Sequence, residues 1–232
     1  MYISKKAMIK NKSNLIVTYR LNQADIIYID TFITATGTVD VGGFMPWPGA
    51  HTIATNCTTE GTIDASGVTG TDNFIGGFFG NLGWNCDLGQ MGHEITNYHA
   101  DVDIISGGAP AGGFVGSATN SNDQSMYATF INCSASGDVT NVSGVAGGFA
   151  GEAERGDYDD CSANGTVVGA VAGGFIGHIK DVTPKYDGRY PAGIRPYLVD
   201  EIFIDNCTGS SGLIFIGKID EGTKVTIDGV MQ

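Results

Sequence analysis

Polar and apolar residues alternate along Cys133-Ser134-Ala135-Ser136-Gly137-Asp138-Val139, the small or apolar ones falling at every second position. A period of two predicts a half-buried strand with Cys133, Ala135, Gly137 and Val139 pointing inward. The same phase runs through Cys57-Thr59-Gly61-Ile63, Tyr98-Ala100-Val102-Ile104 and Cys161-Ala163-Gly165-Val167. A slip of one residue in any of them would bury the intervening Asn, Asp or Ser, so the alternation specifies register as well as strand.

Four segments in one phase constitute an internal repeat. Asn132-Cys133-Ser134-Ala135-Ser136-Gly137-Asp138-Val139 returns 28 residues later as Asp160-Cys161-Ser162-Ala163-Asn164-Gly165-Thr166-Val167. Asn56-Cys57 opens an earlier copy, and Asn97-Tyr98 another with Tyr in the cysteine slot. Two degenerate copies flank these: Ile33-Thr34-Ala35-Thr36-Gly37-Thr38-Val39, read with Ile33 in the cysteine slot, and one starting at Asn206-Cys207. Each copy is followed by a second element, seen in Gly77-Phe78-Phe79-Gly80, Gly113-Phe114-Val115-Gly116, Gly148-Phe149-Ala150-Gly151 and Gly174-Phe175-Ile176-Gly177. Weaker forms stand at Gly43-Phe44-Met45 and Phe215-Ile216-Gly217. The spacing from the cysteine slot to the Phe is 21, 16 or 14 residues, so the inward slots stay constant while the connections vary.

Such a unit cannot bury its apolar face alone, and stacking like on like supplies the core. The expected fold is therefore all-β, a parallel β-helix or solenoid of about six irregular coils with strand caps at both ends. Its interior should hold a Cys/Tyr/Ile column and a Phe ladder, over roughly 30 Å of stack at the usual strand spacing. Residues 1–30 are expected to form a basic arm and strand cap, 31–217 the solenoid with a long loop at 178–205, and 218–232 a second cap. Asn14–Tyr19 and Asp25–Ile29 are the expected cap strands at one end, Lys224–Ile227 at the other. A β-sandwich or propeller would also show many short strands, but each copy supplies too few for a propeller blade.

The two-part pattern resembles the GLUG-motif repeat family of bacterial surface and adhesin-like proteins, in which a Gly-Leu-hydrophobic-Gly signature follows an Asn-Cys-x-Ala-x-Gly-x-Val segment. Phe stands here in the Leu position. The resemblance covers roughly residues 31–217 and implies a scaffold used in surface attachment; it carries over no catalytic residue.

Composition agrees with stacked coils. The chain has 36 glycines in 232 residues, about twice the usual share of roughly 7 %. Corners with positive φ and close backbone approaches both call for glycine, and so much of it disfavours helices. With 42 % apolar residues, the chain also carries more burial than a disordered coil would.

Charge divides the molecule. The net charge is −13, yet residues 1–20 hold Lys5, Lys6, Lys10, Lys12 and Arg20 and no carboxylate, and from Leu21 to Glu154 there is no Lys or Arg. The acidic body should repel nucleic-acid phosphates, whereas the basic arm, through Lys5, Lys6, Lys10 and Lys12, is the expected anchor to an acidic assembly partner. No apolar run has the length of a secretory leader or a membrane span, so the chain is expected to be made without a recognisable signal peptide and to have no transmembrane segment. Five cysteines, an odd number, argue against a full disulfide framework.

Candidate chemistry is sparse. Cys57, Cys133, Cys161 and Cys207 lack the spacing of a zinc site and read as a buried thiol column; Cys86 lies in a loop with no basic neighbour. His51, His93, His99 and His178 are scattered and read as lone surface histidines. The acidic run Glu152–Asp160 matches no calcium loop and reads as solvated. Neither a metal nor a cofactor is expected. Carbohydrate-cleaving β-helices set Asp against Arg or Lys in one groove, and residues 21–154 offer no such cation. The expectation is a non-enzymatic protein, with a polysaccharide lyase or hydrolase of β-helix type as the alternative.

The long loop is chemically distinct. Tyr186, Arg189, Tyr190, Arg195 and Tyr197 concentrate the residue types that carry contact energy, and Trp47 and Trp84 are suited to stacking on a sugar or a neighbouring subunit. These are the expected contact residues, for a protein assembly partner, a surface glycan or a second copy of the chain. The expected setting is a virion or cell-surface appendage.

Overall fold

The computed structural model describes residues 20–21, 27–46, 56–82, 93–118, 128–181 and 201–232. Its strands follow the repeat. A short β1 (Arg20–Leu21) precedes coil 1, which contains β2 (Ile27–Gly37) and β3 (Val41–Gly42). Coil 2 contains β4 (Cys57–Val68), β5 (Ile75–Gly76), β6 (Phe79–Asn81) and β7 (His93–Thr96). Coil 3 contains β8 (His99–Ser106), β9 (Ala111–Gly112), β10 (Val115–Ala118) and β11 (Ala128–Ile131). In coil 4 come β12 (Ser134–Ala135), β13 (Val139–Gly147), β14 (Ala150–Ala153) and β15 (Gly156–Asp159). Coil 5 repeats them as β16 (Ser162–Ala163), β17 (Val167–Gly173), β18 (Ile176–Ile179) and β19 (Glu201–Asp205). The last coil holds β20 (Ile216–Ile219) and β21 (Lys224–Ile227), and β22 (Val230–Met231) follows.

Corresponding strands pair in parallel from coil to coil and form three sheets. The first gathers the Cys-x-Ala segments and, at its far end, the short strands before each Gly-Gly-Phe. The second runs β6-β10-β14-β18-β20, and the third runs β7-β11-β15-β19-β21-β22. The expected parallel solenoid is what these residues form. Among the described strands only the ends are antiparallel: β1 against β2, and β22 against β21 through an Asp228-Gly229 turn with positive φ at both residues.

The ends correct two expectations. Lys224–Ile227 belongs to coil 6 and pairs in parallel with β19, so the cap is β22. At the other end, Ile27–Ile29 is already part of the first coil, in register with Cys57–Thr59, and Asn14–Tyr19 lies outside the described residues. Ile27 therefore fills the cysteine slot of coil 1, while Ile33 pairs with Ile63. A shift of six residues is even and preserves the in/out alternation, so periodicity alone does not separate the two registers.

The alternation holds in detail. Along β8, Ala100, Val102, Ile104 and Ser106 are buried between exposed His99, Asp101, Asp103 and Ile105. The interior divides into two compartments. In one, Phe44, Phe78, Phe114, Phe149, Phe175 and Phe215 stack with successive ring centroids 4.8–5.4 Å apart. Opposite them stands a second column on the third sheet, Ile95, Phe130, Tyr158, Ile204 and Ile227. Its Phe130 and Tyr158 rings meet the ladder edge to face at 5.5–5.9 Å. Cys57, Tyr98, Cys133 and Cys161 line the same compartment. The other compartment is aliphatic, with Ile33, Ile63, Ile104, Val139 and Val167 facing Val41, Ile75, Ala111 and Ala146.

Corners and turns use different residues. Asn56, Asn97, Asn132, Asp160 and Asn206, one before the cysteine slot of each of coils 2 to 6, hold φ of 50–62° where the third sheet bends into the first. Asn and Asp tolerate this left-handed conformation best after Gly. The Gly-Gly-Phe glycines instead answer to space, since a Cβ on Gly147 would lie 1.8 Å from the Ala150 carbonyl oxygen and one on Gly148 2.1 Å from that of Gly174.

Candidate functional site

The contact residues expected from sequence, Tyr186, Arg189, Tyr190, Arg195, Tyr197, Trp47 and Trp84, lie outside the described residues, as do Lys5, Lys6, Lys10, Lys12, His51 and Cys86. The described residues place candidate chemistry in three other regions.

The first is the thiol column. Cys57, Cys133 and Cys161 are buried and Cys207 is partly so, all as free thiols. Their S–H groups donate to carbonyls of the preceding strand, from Cys133 to Ile95 at 3.3 Å and from Cys207 to Tyr158 at 3.4 Å. The neighbouring Cys133 thiol, with burial adding to its effect, pushes Cys161 up to about 12. Cys207 is raised in turn by its hydrogen bond to Cys161 and then by burial, and Cys57 by burial. Buried in the aromatic compartment as small apolar side chains, Cys57, Cys133 and Cys161 make the column part of the core.

The second region is a charged cluster on the second sheet. Glu152 is in register with Ser117 on one side and His178 on the other. It is 2 % exposed and ion-paired with Lys180. Burial raises the Glu152 carboxyl above its ordinary value, and Lys180 offsets part of that. His178 Nε2 lies 2.9 Å from Asp220 Oδ1, which Lys218 also contacts at 2.8 Å. The Lys218 contact, then that of His178, holds the Asp220 carboxyl well below the usual carboxylate range. The run Glu152–Asp160 is thus a strand, a turn and a strand with Glu154 and Arg155 buried, and His178 is a buried, paired residue. Sequence reading took both for solvated because the stacking that covers them joins distant segments.

The third region is the outer face of the third sheet. Alternation puts Phe130, Tyr158 and Ile204 inside, which leaves Thr129, Asp157 and Phe203 in one outward row, and Ile131, Asp159 and Asp205 in the next. These residues, with Asn206 and Asp228, line an open groove of about 760 Å³. Asp159 stands directly opposite Asp205, and Asp228 Oδ1 accepts the Asn206 N–H at 2.9 Å. The aromatic packing beneath fixes the three strands, so the groove is preformed rather than assembled on contact. Carboxylates beside an aromatic ring can accept sugar hydroxyls while the ring faces C–H groups, and can equally hold basic side chains. Among the described residues, no group of three or more His, Cys, Asp or Glu side chains is arranged to hold a metal ion. The signal for this face was present in sequence as Glu94-Ile95-Thr96-Asn97, Thr129-Phe130-Ile131-Asn132, Asp157-Tyr158-Asp159-Asp160 and Phe203-Ile204-Asp205-Asn206. The repeat extends three residues upstream of the Asn corner, beyond the boundary at which it was read.

The broad face of the first sheet carries polar cross-links between coils beside the exposed Phe32, Ile105, Val142 and Val168. His99 Nδ1 lies 2.7 Å from Ser134 Oγ, Ser136 Oγ donates to Asp101 at 2.9 Å, and Asp103 and Asp138 each accept a backbone N–H from the next coil. These contacts spend the polar groups on stacking.

Among the described residues, no helix is long and apolar enough to cross a membrane. No curated protein and no solved structure matches the chain. A family model described as the GLUG motif matches residues 107–140, which span one turn of the stack from the corner after β8 to the equivalent stretch of coil 4. The Gly-Gly-Phe turn and Asn-Cys corner of that turn recur in the neighbouring coils, so the match supports assigning this stretch, and by its repeats the stack, to GLUG-type repeats.

Proposed function

We propose that this chain is a non-enzymatic adhesive or structural component, exposed on a virion or a cell-surface appendage, that uses the side of its stack to hold a protein or glycan partner. The observation that supports the reading is the groove on the third sheet, where Phe203 lies among Asp157, Asp159 and Asp205 on strands locked by the aromatic column beneath. A ring flanked by acceptors suits a neutral, polyhydroxylated ligand. The basic arm is a second attachment point, and its sign opposes that of the body.

A glycan array tests the reading. The wild-type chain is expected to bind a subset of glycans, and Phe203→Ala and Asp205→Asn to lose at least tenfold in affinity for the same subset. Undiminished binding by the double variant would remove the groove from the account. Release of shorter sugars from a bound glycan would overturn the non-enzymatic reading in favour of a carbohydrate-active β-helix.

A further inference from the structure

The tail of the stack is closed on one sheet and open on another. On the third sheet β22 folds back over β21, so the last edge is covered by an antiparallel strand. The second sheet ends at β20, which pairs with β18 and with no other described strand. Around that edge the apolar side chains are exposed: Leu213 by 38 %, Ile214 by 64 % and Ile219 by 41 %. The first sheet contributes only the bridge from Ser162 to Thr208 in this coil. Unpaired edges with apolar flanks are templates for another chain.

The head supplies the complement. Within the stack each ladder Phe donates its N–H to the carbonyl of the Phe one coil further on, Phe114 to Phe149, Phe149 to Phe175 and Phe175 to Phe215, at 2.8–2.9 Å. Phe215 is the last, and among the described residues no later Phe carbonyl accepts its N–H; Phe44 is the first, and no earlier Phe N–H among them donates to its carbonyl. Both are only partly buried, whereas the four rings between them are 0 % exposed. Met45 and Ile216, the next residues at each end, are partly buried in the same way. Each end is half of an interface that occurs inside the stack between every pair of coils.

Two tails would bring like N–H donors together at the ladder, whereas a tail and a head bring the Phe215 N–H to the Phe44 carbonyl. We propose that copies of this chain associate head to tail, the Phe215 end of one against the Phe44 end of the next, continuing the ladder across the joint. A heterologous joint of this kind does not close on itself, so it produces rows rather than pairs. The inference is independent of what the groove holds.

Sedimentation velocity of the full chain is expected to show species larger than a dimer as concentration rises. A chain that stays monomeric throughout overturns the proposal. Ile214→Lys alters the tail at an exposed position and Met45→Glu alters the head, each with its fold checked by circular dichroism. Either variant alone should be monomeric, and an equimolar mixture should form one-to-one pairs through the unaltered tail of one and head of the other. A Met45→Glu variant that still dimerises by itself would establish a tail-to-tail joint and overturn the proposal. A spin label at Ser211→Cys gives an answer without any head variant. In a mixture with isotope-labelled wild type it should broaden the amides of Gly42 to Met45; broadening confined to the tail contradicts the head-to-tail joint.

Discussion

The two core compartments are built by different rules. In the aliphatic one the column facing the short strands drifts from Ile33, Ile63 and Ile104 to Val139 and Val167, opposite Val41, Ile75 and two alanines. In the aromatic one Phe occupies the ladder slot in all six coils, with adjacent internal rings within 20° of parallel. Aliphatic side chains at facing positions exchange volume by a methylene at a time. A ring stacked on both faces and met edge-on by Phe130 or Tyr158 has no such freedom, because its neighbours are themselves held by the next rings. The ladder slot therefore stays strict, while the aliphatic column and the varied column that faces the ladder drift.

The largest expected effect follows directly. Phe149→Ala empties a slot between two stacked rings that cannot collapse, and should cost about 3–5 kcal/mol in denaturant unfolding. A cost near that of an ordinary surface change would mean the ladder is not packed as described. Asn132 sets the corner through which the third sheet enters this compartment, with φ of 50°. Asn132→Ala should cost about 1–2 kcal/mol and Asn132→Gly much less, since the penalty belongs to the Cβ in a left-handed conformation. Equal losses from both would shift the explanation to the Asn132 side chain, which donates to Asn97 Oδ1 at 2.6 Å. Ile104→Val, in the aliphatic column, should cost only about 0.5–1.5 kcal/mol, because Val already fills the slot in the next two coils.

The smallest effect concerns the wall behind the ladder. Burial raises the Glu152 carboxyl above 4.5, so the folded state holds its proton more tightly than the unfolded state does. Glu152 therefore contributes stability that is fully present below the ordinary carboxylate value and lost as pH rises through the raised folded value. The melting temperature of Glu152→Gln minus that of wild type should grow as pH rises from about 4 to 7. A flat difference would show that Lys180 fully compensates the burial. Asp220 has the opposite sign, its contribution being lost as pH falls below the ordinary carboxylate range.

How much of this was legible in sequence depended on the same contrast. The Phe ladder and the Cys-x-Ala strands were readable because each slot repeats one chemistry. The second aromatic column was not, since Ile95, Phe130, Tyr158 and Ile204 share only apolarity and follow connections of unequal length. Coil lengths of 35, 28 and 46 residues can be read from contacts between equivalent positions, and such variation hides a varied slot while leaving a conserved tetrapeptide visible. The first coil was misphased because an even slip satisfies alternation, and the register is fixed only by pairing with β4. The groove was hidden for a third reason. Thr129, Asp157, Phe203 and Asp228 lie in four segments that become neighbours only when the coils stack, and the repeat that aligns the first three lies upstream of the Asn corner.

The stack itself is most directly tested by ring-to-ring nuclear Overhauser contacts in the intact chain. The ladder places Phe114 and Phe149 centroids 4.8 Å apart and Phe149 and Phe175 5.0 Å apart. Phe114–Phe149 and Phe149–Phe175 cross-peaks should therefore be strong, and a Phe114–Phe175 cross-peak, two coils apart, should be absent. A direct Phe114–Phe175 contact, or no contact between Phe149 and either neighbour, would contradict the coil-by-coil order on which the fold and both proposals rest.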